Sequence, residues 1–374
     1  MTLHWVIAGG GTGGHVTPAL ALGEVIRGAG ERVRFLGTRR GIETRLVPDA
    51  GFELVALDAR PVVGRSLIGR ARALLSLAGA SLAARRELRS FGADLVVAVG
   101  GYASVPAALA AWTTRTPVVL VNTDATPGLA NRLLARWARR IFVGFESAAA
   151  PLRRGPSDQR VRVSGVPLRE GLRRQFARSA KSGERARSGG PLHLFVFGGS
   201  QGARQINEAM MEAAPHLEPE AILIVHQTGE SDRDRVERAY RAAGFDAEVI
   251  VFERNMPARY QWADLVLCRA GAISIAELAL AGRPAVLVPL THVGGGEQSA
   301  NARELERAGG AVVLDSRDLC AQQLIDALRE LCGDRSRLER MSAGAASLAR
   351  PDAAEMIVSD CRALLEGGRG EGAP

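Results

Sequence analysis

Leu3 to Ala8 is an unbroken apolar run. After the segment Gly9-Gly10-Gly11-Thr12-Gly13-Gly14-His15 comes a stretch with helical spacing, in which Thr17-Pro18 offers a capping hydroxyl and a first-turn proline. The predicted order is strand, glycine loop, helix. Apolar runs recur at Arg32 to Leu36, Leu54 to Leu57, Asp94 to Val99, Val118 to Val121 and Ile141 to Val143, alternating with helical stretches. Such alternation predicts βαβ units on a parallel sheet. Between Glu170 and Gly190 the pattern lapses into Arg, Ser, Gly and Lys without an apolar period, which reads as a linker. The design then restarts with a strand at Leu192 to Phe197, a loop Gly198-Gly199-Ser200-Gln201-Gly202 and a helix from Ala203. Further strands are expected at Ile222 to Val225, Val249 to Phe252, Leu265 to Cys268, Ala285 to Val288 and Ala311 to Leu314. The fold class is therefore α/β, with two Rossmann-like, doubly wound parallel-sheet domains at 1–169 and 191–374, a linker at 170–190, and the last helix packing back on the first domain. The two glycine loops are expected to face each other across a cleft, where strand ends and helix N-termini converge.

The length of 374 residues agrees with two domains, since single cores stop growing below that size. No apolar run approaches the roughly 18 residues needed to cross a bilayer. The start, Met1-Thr2-Leu3-His4-Trp5, has no basic segment of the kind that precedes a secretory signal, so a cytoplasmic location is expected. Cys268, Cys320, Cys332 and Cys361 form no CxxC pair, which argues against a zinc site and a disulfide framework.

Charge changes the picture more. Residues 1–175 hold 25 Arg against 12 Asp and Glu, while the whole chain carries a net charge of only +8. The basic half calls for an anionic partner: nucleic acid, a lipid surface or a phosphorylated substrate. Aromatic residues at 5% are too few for a stacking surface, and no nucleic-acid motif accompanies the charge, so nucleic acid is not expected.

Gly9, Gly11 and Gly14 satisfy GxGxxG, and Arg39-Arg40 follow the second strand where a dinucleotide enzyme reads its ribose. On these residues alone an NADP oxidoreductase stays open, as does a merely structural tight turn. Cys268 to Glu277 reads as a strand end, a small-residue turn and a helix start, with Glu277 about one turn inside the helix. A carboxylate there can accept both hydroxyls of a ribose, or simply favour the helix dipole. Downstream, Gln298 can hydrogen-bond sugar hydroxyls or be solvated.

GGTGGH (Gly10 to His15), GGYAS with Pro106, PGLANR (Pro127 to Arg132), GGSQGAR (Gly198 to Arg204), the RAGAISIAE segment ending at Glu277, and Gln298 with Asn301 stand in this order along the chain. Taken together they resemble the MurG family of bacterial glycosyltransferases. The resemblance implies a GT-B fold, UDP-GlcNAc as donor, and lipid I (undecaprenyl-pyrophosphoryl-MurNAc-pentapeptide) as acceptor, the alternative being another UDP-sugar transferase acting on a lipid-linked acceptor. Lipid II would form with inversion, with no cofactor and no obligatory metal. It further implies that Ser200 and its loop hold the diphosphate, Glu277 the ribose and Gln298 the donor sugar. The backbone around Glu253, with Ala272, Ile273, Ser274, Ile275 and Ala276, would line the uracil and sugar pocket. Thr12, Gly13 and Gly14 would meet the reacting sugars and acceptor pyrophosphate, with Arg169 nearby.

Three segments depart from the family pattern. Val121-Asn122-Thr123-Asp124 stands where HEQN is common, Gly165-Val166-Pro167-Leu168-Arg169 where GNPVR is, and Glu297 replaces the first Gln of a frequent QQ pair. Asp124 would take over sugar contacts from an asparagine, or cap the following turn.

Glycosyl transfer needs a base for the acceptor hydroxyl, and His15 beside the first loop is the candidate, because imidazole titrates near working pH. The competing role is a hydrogen bond to acceptor phosphate. Arg65 to Arg89 interleaves leucines with Arg70, Arg72, Arg85 and Arg86, a basic amphipathic helix suited to an anionic membrane or to a core face with a solvated back. A polyprenyl acceptor favours the first, and with it a peripheral position on the cytoplasmic face of the bacterial inner membrane.

Overall fold

The first apolar run becomes β1 (His4–Gly9), in which Trp5 to Ala8 are buried on both faces of a sheet. A strand covered on both sides carries no period of two, which is why it reads as one continuous apolar run. The computed structural model describes residues 2–59, 67–102, 104–181, 190–199, 202–291, 296–317 and 319–370. They form two units, Met1–Glu170 with Arg350–Pro374, and Gly171–Ala349.

In the first unit β1 leads through the glycine loop to α1 (Gly13–Gly28), β2 (Arg32–Thr38), α2 (Glu43–Asp49), β3 (Leu54–Leu57) and α3 (Leu67–Phe91). The chain continues through β4 (Leu95–Gly100), α4 (Ser104–Thr114), β5 (Val118–Asn122), α5 (Leu129–Leu134), β6 (Arg140–Val143) and β7 (Val161–Val163). All seven strands are parallel, in the order β3-β2-β1-β4-β5-β6-β7. The order reverses between β1 and β4. Connections leave that point toward opposite faces, and a crevice opens at the carboxyl ends of the two strands.

Alternate strand residues feed two separate cores, as the pleat requires. Val6, Ala8, Val96 and Ala98 face Ala84, Leu88, Ala107 and Ala111 of α3 and α4. Trp5, Ile7, Val97 and Val99 face the α1 side.

The second unit takes up α6 (Glu170–Lys181) from Gly171 onward, then β8 (Leu192–Phe197), α7 (Arg204–Ala213), β9 (Ile222–Gln227), α8 (Arg233–Ala242) and β10 (Glu248–Ile250). After these come α9 (Met256–Trp262), β11 (Leu265–Cys268), α10 (Ala272–Ala281), β12 (Ala285–Leu287), α11 (Glu297–Arg307), β13 (Ala311–Val313), α12 (Ala321–Gly333) and α13 (Arg335–Ser347). Its six parallel strands run β10-β9-β8-β11-β12-β13, with the reversal between β8 and β11.

Two elements differ from the sequence expectation. The first helix starts at Gly13 with Thr12 before it, so Thr17 and Pro18 lie inside α1 and do not open it. Thr12's carbonyl starts the ladder by accepting from the amides of His15 and Val16, both at 3.2 Å. Residues 170–181 are a helix where a linker was expected. Among its described side chains Phe176 is the buried one, 5.8 Å from the Tyr260 ring, with Leu172 one turn before it half-buried, and two apolar positions among arginines are too few to read as a period. The last helix, α14 (Ala353–Gly370), groups with the first unit, burying Ala354, Ile357, Val358 and Cys361 in the core on the α1 side. Arg362 on that helix pairs with Glu31, and Asp360 with Arg140 and Arg162. The second unit therefore ends at Ala349, short of residue 374.

Candidate active site

At the reversal point of the first sheet, β1 runs into the glycine loop and β4 into Gly100-Gly101. The half-buried His15 ring rests on that second pair. A Cβ built on Gly100 would lie 2.9 Å from His15 Cδ2 and 3.1 Å from its Nε2, and one on Gly101 would lie 2.6 Å from the Gly10 carbonyl. Both residues also have positive φ, +106° and +73°, so glycine is needed twice over to seat the imidazole. Thr12 Oγ1 lies 3.1 Å from His15 Nδ1. If Nδ1–H donates to that hydroxyl, Nε2 is left unprotonated. Gly13 and Gly14 begin α1, where amide hydrogens and the helix dipole favour an anion.

Beside this point the altered loop is held by two buried amides. Asn131 Nδ2 donates to Asn122 Oδ1 at 2.8 Å, and Asn122 Nδ2 donates to the Asp124 carbonyl at 2.6 Å. The Asp124 backbone is thereby fixed while the residue stays half-exposed.

At the reversal point of the second sheet, β8 leads to Gly198-Gly199 and β11 to Arg269-Ala270-Gly271. Asn301, fully buried on α11, donates to the Ala270 carbonyl at 3.1 Å and so fixes the turn before α10. Within α10, Ala272 and Ile275 are buried, whereas Ile273, Ser274, Ala276 and Glu277 are half-exposed. The fully buried Tyr260 donates its hydroxyl to Glu277 Oε2 at 2.9 Å. Burial pushes the Glu277 carboxyl up to about 7, with the Tyr260 bond acting in the opposite direction. Gln298 Oε1 accepts from the Leu290 amide at 2.9 Å, which leaves its NH2 group as the donor for a ligand.

Glu253 uses its carboxylate locally, accepting from the Asn255 amide at 2.7 Å and from Arg259. Burial raises its carboxyl, but the Arg259 guanidinium and backbone amides outweigh this and hold it below the ordinary carboxylate range. What the segment can offer a ligand is therefore its backbone.

Residues 5–143 match the glycosyltransferase family 28 N-terminal domain and residues 193–357 the family 28 C-terminal domain. Two curated relatives are named UDP-N-acetylglucosamine--N-acetylmuramyl-(pentapeptide) pyrophosphoryl-undecaprenol N-acetylglucosamine transferase. The one from Anaeromyxobacter sp. (strain Fw109-5) is 40% identical over 367 residues, 97% of this chain and 94% of its own. The one from Syntrophus aciditrophicus (strain SB) is 40% identical over 369 residues, 98% of this chain and 99% of its own. MurG of Acinetobacter baumannii matches with a TM-score of 0.80 at 29% identity, over 96% of this chain and 98% of that one. The chain belongs to the MurG family.

The MurG architecture is GT-B, two parallel-sheet domains, here of seven and six strands. Within the first unit the family motifs GGTGGH, GGYAS and PGLANR converge: His15, Gly100, Gly101 and Asn131 meet at one place. Arg169 does not join them. Its guanidinium is tied to Glu24, with Nε donating to Oε1 at 2.7 Å, and Glu24 lies three turns, about 16 Å, along α1 from Gly13. In the second unit Asn301 meets the RAGAISIAE turn at Ala270, Gln298 holds Leu290 beyond β12, and Ser200 lies outside the described residues.

Two residues that bind the backbone of these glycine loops escaped sequence reasoning. Glu43, 1% exposed, accepts from the Gly11 amide, the Thr38 amide and the Thr38 hydroxyl, each at 2.8 Å, and so braces the glycine loop from beneath. A carboxylate two residues beyond Gly41 looks like ordinary first-turn helix chemistry, and only the return of β2 next to β1 turns it under the loop. Gln227 ends β9 without any motif around it, and its side chain bonds two backbone groups, the Gly199 carbonyl and the Glu253 amide.

Proposed function

We propose that this chain transfers N-acetylglucosamine from UDP-GlcNAc to the 4-hydroxyl of MurNAc in lipid I, giving lipid II for peptidoglycan synthesis. The observation that carries this reading is Glu277, a carboxylate aligned by a buried tyrosine at the reversal point of the second sheet, in a chain of the MurG family. An ionised carboxylate so held accepts the two ribose hydroxyls of a uridine nucleotide. In the first unit His15 Nε2 takes the proton of the acceptor hydroxyl as its oxygen attacks the anomeric carbon, and UDP departs from the opposite face, which inverts the configuration. Amide hydrogens of the two glycine loops meet the acceptor pyrophosphate and the departing diphosphate. Incubation with UDP-GlcNAc and a lipid I analogue tests the whole reading, with UDP release and a product heavier by one N-acetylhexosamine as the expected result. The dinucleotide alternative loses its footing, since beyond the exposed Arg39 and Arg40 Glu43 fills the space beside Gly10.

Asp124 is the sugar contact that this chain has altered. A carboxylate accepts strongly from two hydroxyls but cannot donate as an amide does. Asp124→Ala is expected to raise the donor KM about three- to tenfold and to erode discrimination of UDP-GlcNAc against UDP-GalNAc, whereas Asp124→Asn keeps most activity. Steady-state kinetics with both donors checks this. An alanine variant with unchanged KM and discrimination would return Asp124 to a turn-capping role.

The lipid acceptor places the enzyme at a membrane surface, and no described helix is long and apolar enough to cross one. On α3, Ala80, Ala84 and Leu88 are buried, yet Leu75 and Leu82, two turns apart, are 75% and 58% exposed. A helix serving only as a core face would not leave those leucines in water. Arg86 and Arg89 are exposed on the same helix and Arg85 half-buried; Arg65 and the side chains of Arg70 and Arg72 lie outside the described residues. Trp112, Leu129, Leu133 and Trp137 of this unit are exposed as well. Leucines that dip into the interface beside arginines that meet anionic headgroups make α3 a peripheral membrane contact on the cytoplasmic leaflet. Neutralising Arg70, Arg72, Arg85 and Arg86 is expected to cost about 1 kcal/mol per charge in vesicle affinity and to spare turnover on a short-chain soluble acceptor. Sedimentation with phosphatidylglycerol vesicles reads the first quantity. Unchanged sedimentation would leave α3 as a core helix with a solvated back.

A further inference from the structure

In the second sheet β9 lies between β8 and β10, and its last residue, Gln227, is in register with Phe197 of β8 and Ile250 of β10. Both neighbouring strands end there: β8 enters Gly198-Gly199, and β10 enters the segment that reaches Glu253. One side chain at the end of β9 can therefore reach both loops. Gln227, 2% exposed, does so with its two polar atoms, Nε2 donating to the Gly199 carbonyl at 2.7 Å and Oε1 accepting from the Glu253 amide at 3.0 Å. Only this orientation of the amide satisfies both loops, since one presents a carbonyl and the other an N–H. The preceding residue, His226, points to the other face of the sheet, as alternation demands, and binds Tyr240 and Asn207 there.

Given the donor-site reading proposed for this unit, Gly199 belongs to the diphosphate loop and the Glu253 backbone to the uracil segment. We propose that Gln227 is a positioning residue that sets the spacing between these two loops, so that diphosphate recognition and base recognition are coupled through one amide. Gln227 touches no part of the nucleotide. It holds the two backbones that do, and a site already set at the right spacing loses less freedom when UDP binds.

Two replacements separate the ends of the clamp. Gln227→Glu keeps an acceptor for the Glu253 amide but turns a carboxylate toward the Gly199 carbonyl. Gln227→Leu satisfies neither end. Affinities for UDP and for uridine, measured by calorimetry and by displacement, read the loops separately. UDP is expected to bind Gln227→Glu about ten- to a hundredfold more weakly, with uridine within about threefold of the unaltered protein. Gln227→Leu is expected to weaken both. A general loss of packing would weaken both ligands in both variants and lower the thermal unfolding midpoint with them, and that pattern overturns the clamp. Full UDP affinity in both variants also overturns it. If the unaltered protein fails to bind UDP more tightly than uridine, the donor-site reading itself fails and the coupling falls with it, an outcome distinguishable because it needs no variant.

Discussion

Replacing His15 by alanine lowers turnover about a hundredfold or more while UDP affinity stays within a few fold, as befits loss of a general base. The separation of the two effects follows from placement. His15 rests on Gly100 and Gly101 in the first unit, whereas Glu277, Tyr260 and Gln298 belong to the second. Burst and steady-state assays with a lipid I analogue give turnover, and calorimetry gives UDP affinity. Near-normal turnover would remove His15 from the base role and leave it as a phosphate ligand. Thr12→Val adds a finer check on the tautomer in which Nδ1–H donates to the Thr12 hydroxyl across 3.1 Å and Nε2 is unprotonated. Its loss is expected to fall on kcat and not on donor KM.

Glu277→Ala weakens UDP-GlcNAc binding by roughly 1.5–3 kcal/mol, the range for a hydrogen bond to a charged group. A 2′-deoxyribose donor, lacking one of the two hydroxyls, suffers much less, and equal losses for both donors would assign the carboxylate to the helix. The same residue predicts a pH dependence. Burial pushes its carboxyl up to about 7 in the free protein, so part of the population is neutral at physiological pH. Ribose binding selects the ionised form, hence donor affinity rises with pH through about 7 and levels off above it. The donor diphosphate is esterified at both ends and keeps its charge throughout. Stability of the free protein runs the other way: a carboxyl whose folded value is raised favours the folded state at low pH, and that contribution is lost between the ordinary carboxylate range and about 7. Titration calorimetry at pH 6 to 8 reads the affinity, and Glu277→Gln should flatten the profile.

The motifs made the family legible because glycine runs and short polar words survive as local chemistry. Gly100-Gly101 could be seen in the sequence, but its reason could not, since it is the His15 ring from 85 positions earlier that leaves no room for a Cβ on Gly100, and the Gly10 carbonyl that leaves none on Gly101. Glu43 and Gln227 were illegible for the same reason. Each acts on the backbone of a distant segment, and neither has a neighbour in sequence that marks it. The pairing of Arg169 with Glu24, 145 positions earlier, was equally out of reach of the sequence.

Apolar runs, glycine loops and their alternation with helical stretches determined by themselves that this chain forms two parallel-sheet domains, because strands buried on both faces and tight strand-to-helix turns each demand a local composition. The tertiary structure alone decided where α1 starts, that α6 is a helix, and which side chains brace the loops. Those outcomes depend on strand order. Placing β1 beside β4 and β8 beside β11 brings together residues that are far apart in the chain, and a hydrogen bond or a missing Cβ becomes necessary only once they meet.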